Sequence, residues 1–344
     1  MDRRLQTFAA LRLLAAFVLG GFSFLLTFRA NIYRLAPPPP PPQQPTSDVI
    51  NNSDQTDAQI SQMQKLESSL SAQLHKSVRI LCWIMTHPSR SSHRQAVLET
   101  WGKRCNTLLF ITGAGDAPAE GKSESLGPNA FMVTVKMDET YQKLWTKTKL
   151  AFLYVAKQYK GTFDWVLKID DDTFVVMENL RLFLSKKDQK TPEYYGAPYQ
   201  AHGGYNSGGP GYALSAFNVE KLFGDGKGCT NEGTYEDIEI AKCLRKIGVR
   251  ISDTRDKKGR FRWSPFEPEH TMHHELLPSR YNWFWGFTAH KLPKGFECCS
   301  DEFVSFHYVS PSLMRVMEYL IYYLHPFSSR EPSPHDSVKK HSHQ

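Results

Sequence analysis

Short apolar runs alternate with longer helical stretches from Val78 onwards, and this alternation restricts the fold more than any other feature of the sequence. The apolar runs have the length and composition of buried strands and lie at residues 78–86, 107–112, 131–135 and 165–169. The stretches predicted to be helices lie at residues 92–102, 141–159 and 238–247. Strands that alternate with helices in this way form a layered α/β domain with a mostly parallel central sheet.

Three consecutive carboxylates, Asp170, Asp171 and Asp172, directly follow the apolar run at residues 165–169. In parallel sheets, ligands bind at the carboxyl ends of the strands, which is where these residues would lie. Adjacent carboxylates repel one another unless solvent or a cation neutralises them, and their oxygens are good ligands for hard divalent metals. A solvated turn or a helix N-cap is the alternative, because aspartates are frequent in turns. Since apolar residues lie on both sides of the triplet, we favour a metal site within the domain.

Residues 8–28 are mostly apolar and carry no charge apart from Arg12, and this length is sufficient for one helix to cross a membrane. Because Arg3 and Arg4 precede the segment, we predict a transmembrane signal anchor with residues 1–7 as a cytoplasmic tail. A cleaved signal peptide is the alternative, but the residues that follow contain no convincing small-x-small cleavage site.

Six consecutive prolines at residues 37–42 follow the predicted anchor, and a polar run follows the prolines. Prolines favour an extended conformation and the polar run cannot form a core, so residues 29–76 are predicted to be a disordered stem. The folded domain is then expected over residues 77–327, and a disordered tail over residues 328–344.

The six cysteines are an even set without a C-x-x-C pair or zinc-finger spacing, which favours disulfides over zinc. Disulfides form in the secretory pathway, in agreement with the predicted anchor. Cys298 and Cys299 would form a vicinal bridge, or each would pair with a distant partner. Two further pairs are predicted from the proximity of their elements: Cys82 with Cys105 and Cys229 with Cys243.

The formal net charge is +7, spread along the chain without a long basic run. Mild basicity favours anionic ligands, but the sequence contains none of the common nucleic-acid-binding modules. We therefore expect no nucleic acid as partner, and a nucleotide diphosphate fits the charge equally well.

The chain resembles the beta-1,3-glycosyltransferase family and, within it, the core 1 beta-1,3-galactosyltransferases. The resemblance extends from about Val78 to Pro326 and includes the Asp-x-Asp of the triplet and the Glu236-Asp237 pair. The Cys-Cys-Ser-Asp run from Cys298, followed by Ser-Phe-His-Tyr-Val from Ser305, resembles the core 1 branch specifically. Further matching segments lie at residues 78–86, 100–101, 104–106, 144–148, 167–173 and 207–212.

This resemblance implies a Rossmann-like domain of the GT-A type that inverts the anomeric centre of the sugar in one displacement. It implies transfer of galactose from UDP-galactose to the 3-hydroxyl of O-linked N-acetylgalactosamine on glycoproteins, with Mn²⁺ as cofactor. We expect a single-pass type II protein of the Golgi membrane with a lumenal catalytic domain. Members of the family are often homodimers, so a homodimer is expected as well. The alternatives are a related transferase with another donor or acceptor, and a catalytically silent folding chaperone of the same branch.

The resemblance also implies roles for individual residues. Asp170, Asp172 and His307 would hold the metal, although a lone histidine between aromatic residues is otherwise typical of a core. Asp237, with Glu236 beside it, would be the general base that takes the proton of the acceptor hydroxyl. Its alternative role is in a capping box that begins at Thr234.

The predicted binding residues fall into two groups. Trp283 and Trp285 could form an aromatic platform for the acceptor sugar, although an aromatic core cluster is an equally good interpretation. Tyr212 is also predicted to bind the acceptor. Glycines allow the backbone to approach a ligand closely. The residues implied for the nucleotide sugar are Thr86, Arg94, Lys147, Asp171, Gly208 and Gly209.

Overall fold

The computed structural model describes residues 62, 65–66, 68–119, 121–225, 229–230 and 232–324. The predicted anchor, most of the predicted stem and the predicted C-terminal tail lie outside these residues. Residues 68–77, at the end of the predicted stem, are helical. Within the described part of the chain, no helix combines the length and the apolar character needed to cross a membrane.

Strands and helices alternate along the first half of the described chain. The strands are β1 Ile80–Met85, β2 Thr107–Ala114, β3 Lys122–Gly127, β4 Ala130–Lys136, β5 Trp165–Asp170, β6 Phe174–Val175, β7 Glu193–Gly196, β8 Pro198–Tyr199, β9 Tyr205–Asn206, β10 Tyr212–Ser215, β11 Arg250–Ile251, β12 Trp263–Ser264 and β13 Ser305–Phe306. After the helical residues 68–77, the α-helices are α1 Ser91–Glu99, α2 Leu144–Gln158, α3 Met177–Ser185, α4 Ala216–Phe223, α5 Glu236–Lys246, α6 Pro268–Met272, α7 Phe284–Phe287 and α8 Pro311–Tyr322.

The central sheet has eight strands in the order β11-β7-β10-β5-β1-β2-β4-β3. β1 pairs in parallel with both β2 and β5, and β2 pairs in parallel with β4. Only β3 and β10 run antiparallel to their neighbours in this sheet. The predicted α/β domain with a mostly parallel central sheet is therefore confirmed.

β1 explains why this sheet is buried on both faces. Every residue of the strand is apolar and buried, as is typical of a parallel strand covered by helices. Because side chains alternate across a strand, Leu81 and Trp83 enter one core cluster, whereas Cys82 and Ile84 enter the other. Helices α2, α4 and α5 pack in the first cluster, and α1, α3 and α8 pack in the second.

The predicted elements form, with small shifts at their ends. The helix predicted at residues 141–159 begins with a 3₁₀ turn, Tyr141–Lys143, before α2. The helix predicted at 238–247 begins two residues earlier, at Glu236. The sequence analysis did not predict β3, because this edge strand consists largely of exposed, polar residues and contains no apolar run.

All six cysteines lie within the described residues and are paired. The two pairs predicted from proximity are confirmed. Cys298 and Cys299 pair with each other in a vicinal bridge and not with distant partners. The disulfides are Cys82–Cys105, Cys229–Cys243 and Cys298–Cys299.

Candidate active site

The acidic triplet lies at the carboxyl end of β5, next to the centre of the sheet. β5 is buried until it ends at Asp170 and is apolar apart from Lys168. The short strand β6 then pairs antiparallel with β13, which carries His307 back to the triplet. The Nε2 atom of His307 lies 3.1 Å from Oδ1 of Asp172. A pairing between two-residue strands therefore joins parts of the chain that are distant in sequence.

Asp170, Asp172 and His307 form a compact group of possible metal ligands. Each offers one ligand atom, and these atoms all lie within 4.8 Å of one another. Burial alone would raise the pKa of Asp172, but His307 and Arg90 lower it to about 2, so this carboxylate stays charged. Two carboxylate oxygens and one imidazole nitrogen suit a divalent first-row metal.

The backbone next to His307 is unusual. Tyr308 has a φ of 59°, in the left-handed region that residues other than glycine rarely adopt. Its ring stacks on the His307 ring, with 3.9 Å between the ring centroids. Such outliers persist where the surrounding structure imposes them, and they cluster at functional sites.

Asp171 faces away from this group. The Thr86 hydroxyl donates a hydrogen bond of 2.5 Å to Oδ2 of Asp171. Nε and Nη2 of Arg90 donate hydrogen bonds of 2.9 and 2.7 Å to Oδ1. The middle residue of the triplet therefore fixes the turn that follows β1, while its two neighbours form the possible metal site.

Lys168 is fully buried beneath the site and joins its two sides. Its ammonium group donates to Oδ1 of Asp170 at 2.8 Å and to Oε1 of Glu236 at 2.7 Å. It also donates to the Gly208 carbonyl at 3.1 Å. Burial alone would lower the pKa of Lys168, but Asp170 and Glu236 raise it, so the ammonium stays charged.

Glu236 is buried, and its carboxylate is bound by side chains of the protein. Besides the bond from Lys168, Oε2 of Glu236 accepts a hydrogen bond of 3.0 Å from the Tyr212 hydroxyl. Tyr212 is completely buried in β10, where its side chain lies behind the site. The prediction that Tyr212 contacts the acceptor is therefore wrong, because its hydroxyl is used to hold Glu236.

Asp237 lies in the first turn of α5. Its Oδ2 atom accepts a hydrogen bond of 3.1 Å from the Gly208 N–H, and Oδ1 accepts one of 2.9 Å from the Ile238 N–H. Burial raises the pKa of Asp237, and the opposing effects of the Gly208 N–H and of Lys168 are smaller. The N-cap residue is Tyr235, and its side chain makes no capping hydrogen bond, so the alternative capping box from Thr234 is wrong.

Two adjacent cavities share the residues at the triplet. A cavity of about 510 Å³ lies on the β1 side, and one of about 380 Å³ lies on the α5 side. Asp170 and Asp172 line both cavities, as do Tyr141 and Leu144. The site can therefore contact two ligands at once, one on each side of the possible metal position.

The predicted binding residues divide between these cavities. Thr86, Lys147 and Asp171 line the β1-side cavity. Gly208 and Gly209 were predicted together with these three residues to bind the nucleotide sugar, but they line the α5-side cavity instead. Within the β1-side cavity, the Lys147 ammonium is buried and bound by the Glu139 carboxylate and the Thr86 carbonyl.

Arg94 does not line either cavity. Its guanidinium donates to the carbonyls of His87 and Pro88, at 2.6 and 3.1 Å, and so supports the turn before α1.

Among the predicted aromatic residues, Trp283 lines the α5-side cavity. Trp285 does not line it and packs against Phe284 and His274.

The sequence prediction missed Arg90 and Lys168, which contact the triplet directly. A signal for Lys168 was present, because a lysine within the apolar run at residues 165–169 must find a carboxylate partner when it is buried. No comparable signal exists for Arg90, since it lies in a polar turn. Tyr141 and Tyr308, which line the α5-side cavity, were also missed.

An α/β sheet with an Asp-Asp-His group between two cavities at its carboxyl edge is the arrangement of a glycosyltransferase-like enzyme. The sequence model of the galactosyltransferase family matches residues 92–207. Glycoprotein-N-acetylgalactosamine 3-beta-galactosyltransferase 1 of Xenopus laevis is 36% identical over 278 residues, which cover 78% of this chain and 73% of that relative. The chain belongs to the galactosyltransferase family.

More distant similarities extend over smaller parts of the chain. Beta-1,3-galactosyltransferase 1 of Mus musculus is 28% identical over 186 residues, which cover 45% of this chain and 56% of that protein. The crystal structure of the glycosyltransferase GlyE from Streptococcus pneumoniae TIGR4 aligns over 68% of this chain and 55% of its own, with 13% identity and a TM-score of 0.34. That structural likeness is too weak to support a conclusion.

Proposed function

We propose that this chain transfers galactose from UDP-galactose to the 3-hydroxyl of O-linked N-acetylgalactosamine on glycoproteins. The observation that carries the proposal is that Asp170 and Asp172 line both cavities, with Asp237 in the second. This arrangement supports a donor in the β1-side cavity and an acceptor in the α5-side cavity, in a domain of the GT-A type. The name of the Xenopus laevis relative supports the choice of donor sugar and acceptor.

The donor set fits a divalent metal, and we propose Mn²⁺ held by Asp170, Asp172 and His307. When bound, the metal supplies Lewis-acid stabilisation of the charge on the departing UDP. Lys168 holds the Asp170 carboxylate through its 2.8 Å hydrogen bond. This contact holds Asp170 in place before a ligand enters.

Asp237 is proposed to activate the acceptor. Its carboxylate takes the proton of the acceptor 3-hydroxyl as that oxygen forms a bond to the anomeric carbon of galactose. The bond from this carbon to the UDP oxygen breaks in the same displacement, so the configuration inverts and UDP leaves with the electron pair. The Gly208 and Ile238 N–H groups orient the carboxylate, and Glu236 supports the same helix turn through Lys168.

Trp283 is proposed to bind the acceptor sugar. It lines the α5-side cavity and exposes 41% of its surface, so a ring face is accessible to the apolar side of a sugar. Trp285 exposes a similar fraction, but it packs against Phe284 and His274 outside this cavity, so Trp283 alone is proposed to contact the acceptor sugar.

We also propose the topology of a Golgi membrane protein. Residues 8–28 would be the single anchor of a type II protein, with the described domain in the lumen and a homodimer as its assembly. The apolar N-terminal sequence supports the anchor. The three disulfides support an oxidising secretory compartment.

The direct test uses the purified full-length chain in detergent with MnCl₂, a panel of UDP-sugars and a glycopeptide that carries one N-acetylgalactosamine. We expect transfer from UDP-galactose, and NMR of the product should show a β1,3 linkage. Transfer from another UDP-sugar instead would identify a related transferase. A chain that binds client protein but transfers no sugar would support the folding chaperone and contradict the proposal.

Gly209→Ala is expected to weaken Mn²⁺ binding by at least about tenfold, the size of effect seen when the support of a metal ligand is lost. A Cβ atom at Gly209 would lie 2.2 to 2.6 Å from the His307 ring, so the ring must shift from its present position beside Asp172. Calorimetric titration with MnCl₂ measures the affinity. The matched control is Gly286→Ala, where a Cβ meets no atom within 4 Å. If the two variants bind Mn²⁺ with equal affinity, His307 is not a metal ligand whose position depends on Gly209.

A further inference from the structure

Arg90 is the last residue of the turn between β1 and α1, and it lines the β1-side cavity. Its guanidinium contacts two residues of the triplet. Nη2 lies 2.7 Å from Oδ1 of Asp171 and 3.2 Å from Oδ2 of Asp172. Arg90 is therefore an ion-pair partner of a proposed metal ligand.

This contact places a fixed positive charge beside the proposed metal position. A cation that approaches Asp172 meets the like charge of Arg90 and competes with it for the same carboxylate. Arg90 therefore opposes the metal as long as its guanidinium stays in this position. Once a metal binds Asp172, only Asp171 remains as a partner of Arg90.

Arg90 is also the cation that this cavity offers to an incoming ligand. Two lysine or arginine side chains line the cavity in the described part of the chain, Arg90 and Lys147. The Lys147 side chain is 1% exposed, and its ammonium group is bound by Glu139. The Arg90 side chain is 36% exposed. An anion that enters the cavity therefore reaches Arg90 first.

We propose that Arg90 binds the diphosphate of the nucleotide sugar and opposes metal binding as long as no nucleotide is present. The inference rests on the proposed function, which places the nucleotide in the β1-side cavity. The planar guanidinium presents its N–H donors in a fork that matches phosphate oxygens. An incoming diphosphate draws the guanidinium from Asp172, and the metal and the nucleotide consequently favour each other's binding.

The test measures two equilibrium constants on the full-length chain in detergent: the Kd of Mn²⁺ alone and the Kd of UDP in saturating Mn²⁺. In Arg90→Ala, the Kd of Mn²⁺ should fall by about twofold to fivefold, the size of one partly exposed charge interaction. The Kd of UDP should rise by about tenfold to a hundredfold, as expected when a charge-assisted hydrogen bond to phosphate is lost. The opposite signs of the two changes distinguish this role from a general disturbance of the site, which would weaken both.

Arg315→Ala is the matched control. Arg315 is another partly exposed arginine, paired with Glu99 at 2.6 Å on α1, and its loss changes the net charge equally. Arg315→Ala should bind Mn²⁺ and UDP as the wild type does. Arg90→Lys should keep the wild-type Mn²⁺ affinity and lose part of the UDP affinity, because the charge stays but the fork is lost.

The inference is overturned if Arg90→Ala leaves both constants unchanged, or if it weakens Mn²⁺ binding. A wild type that binds neither Mn²⁺ nor UDP overturns both the inference and the proposed function. If the wild type transfers no sugar but Arg90→Ala shifts the two constants in opposite directions, only the proposed function fails. The binding measurements therefore separate the two proposals.

Discussion

Replacing Asp237 with Asn is expected to reduce kcat for galactose transfer by about 10²-fold to 10⁴-fold, the contribution typical of a general base. The amide keeps the size of the side chain, and its oxygen can still accept the Gly208 N–H, which donates at 3.1 Å in the wild type. It cannot accept a proton from the acceptor hydroxyl. Because Asp237 does not line the β1-side cavity, binding of UDP should be unchanged. Initial rates with saturating donor and acceptor, together with UDP titration, measure both effects.

The pH profile of the wild type gives an independent measurement for Asp237. Only the deprotonated carboxylate can accept a proton, so kcat/KM should fall on the acid side. Burial raises the pKa of Asp237, with Asp170 in the same direction and Lys168 opposing, so this fall should begin at a higher pH than for an exposed aspartate. Asp237→Asn should lose this acid limb. A variant with near wild-type kcat would assign the proton transfer to another group.

The sequence predicted the triplet and its place in the fold, but not the separate roles of its members. An apolar strand followed by charges indicates the carboxyl edge of a parallel sheet, and β5 ends as expected. Asp171 faces away from Asp170 and Asp172 because Thr86 and Arg90 bind it from the turn after β1. That turn lies some eighty residues earlier in the chain, so no local pattern could predict the contact.

His307 was identified by resemblance alone. The strands that bring it to Asp172, β6 and β13, have two residues each, and such short strands have no periodic signal. The acceptor role of Tyr212 was wrong for a related reason. Tyr212 lies in β10, which pairs with β5 and β7 in the sheet interior. In both cases, pairing between distant segments decides where the side chain lies.

Lys168→Met is expected to lower the free energy of unfolding by about 3–5 kcal/mol, the cost of removing one partner of a buried ion pair. The ammonium is completely buried between the carboxylates of Asp170 and Glu236, at 2.8 and 2.7 Å. Methionine fills similar space but leaves both carboxylates without this cation. Transfer activity should also be lost, because Asp170 and the first turn of α5 would no longer be held together. Chemical denaturation and rate measurements on the same preparation check both effects.

The matched control for Lys168→Met is Lys160→Met, which removes an ion pair of similar length, 2.6 Å to Glu220, at an exposed position. Exposed pairs contribute about 0–1 kcal/mol, so this variant should unfold like the wild type and keep its activity. Adding Glu236→Gln to Lys168→Met should restore part of the lost stability, since the unpaired buried charge of Glu236 is then removed. The activity should not return, because Asp170 still lacks the ammonium that holds it. If Lys168→Met costs no more than Lys160→Met, the buried lysine does not join the donor and acceptor sides of this site.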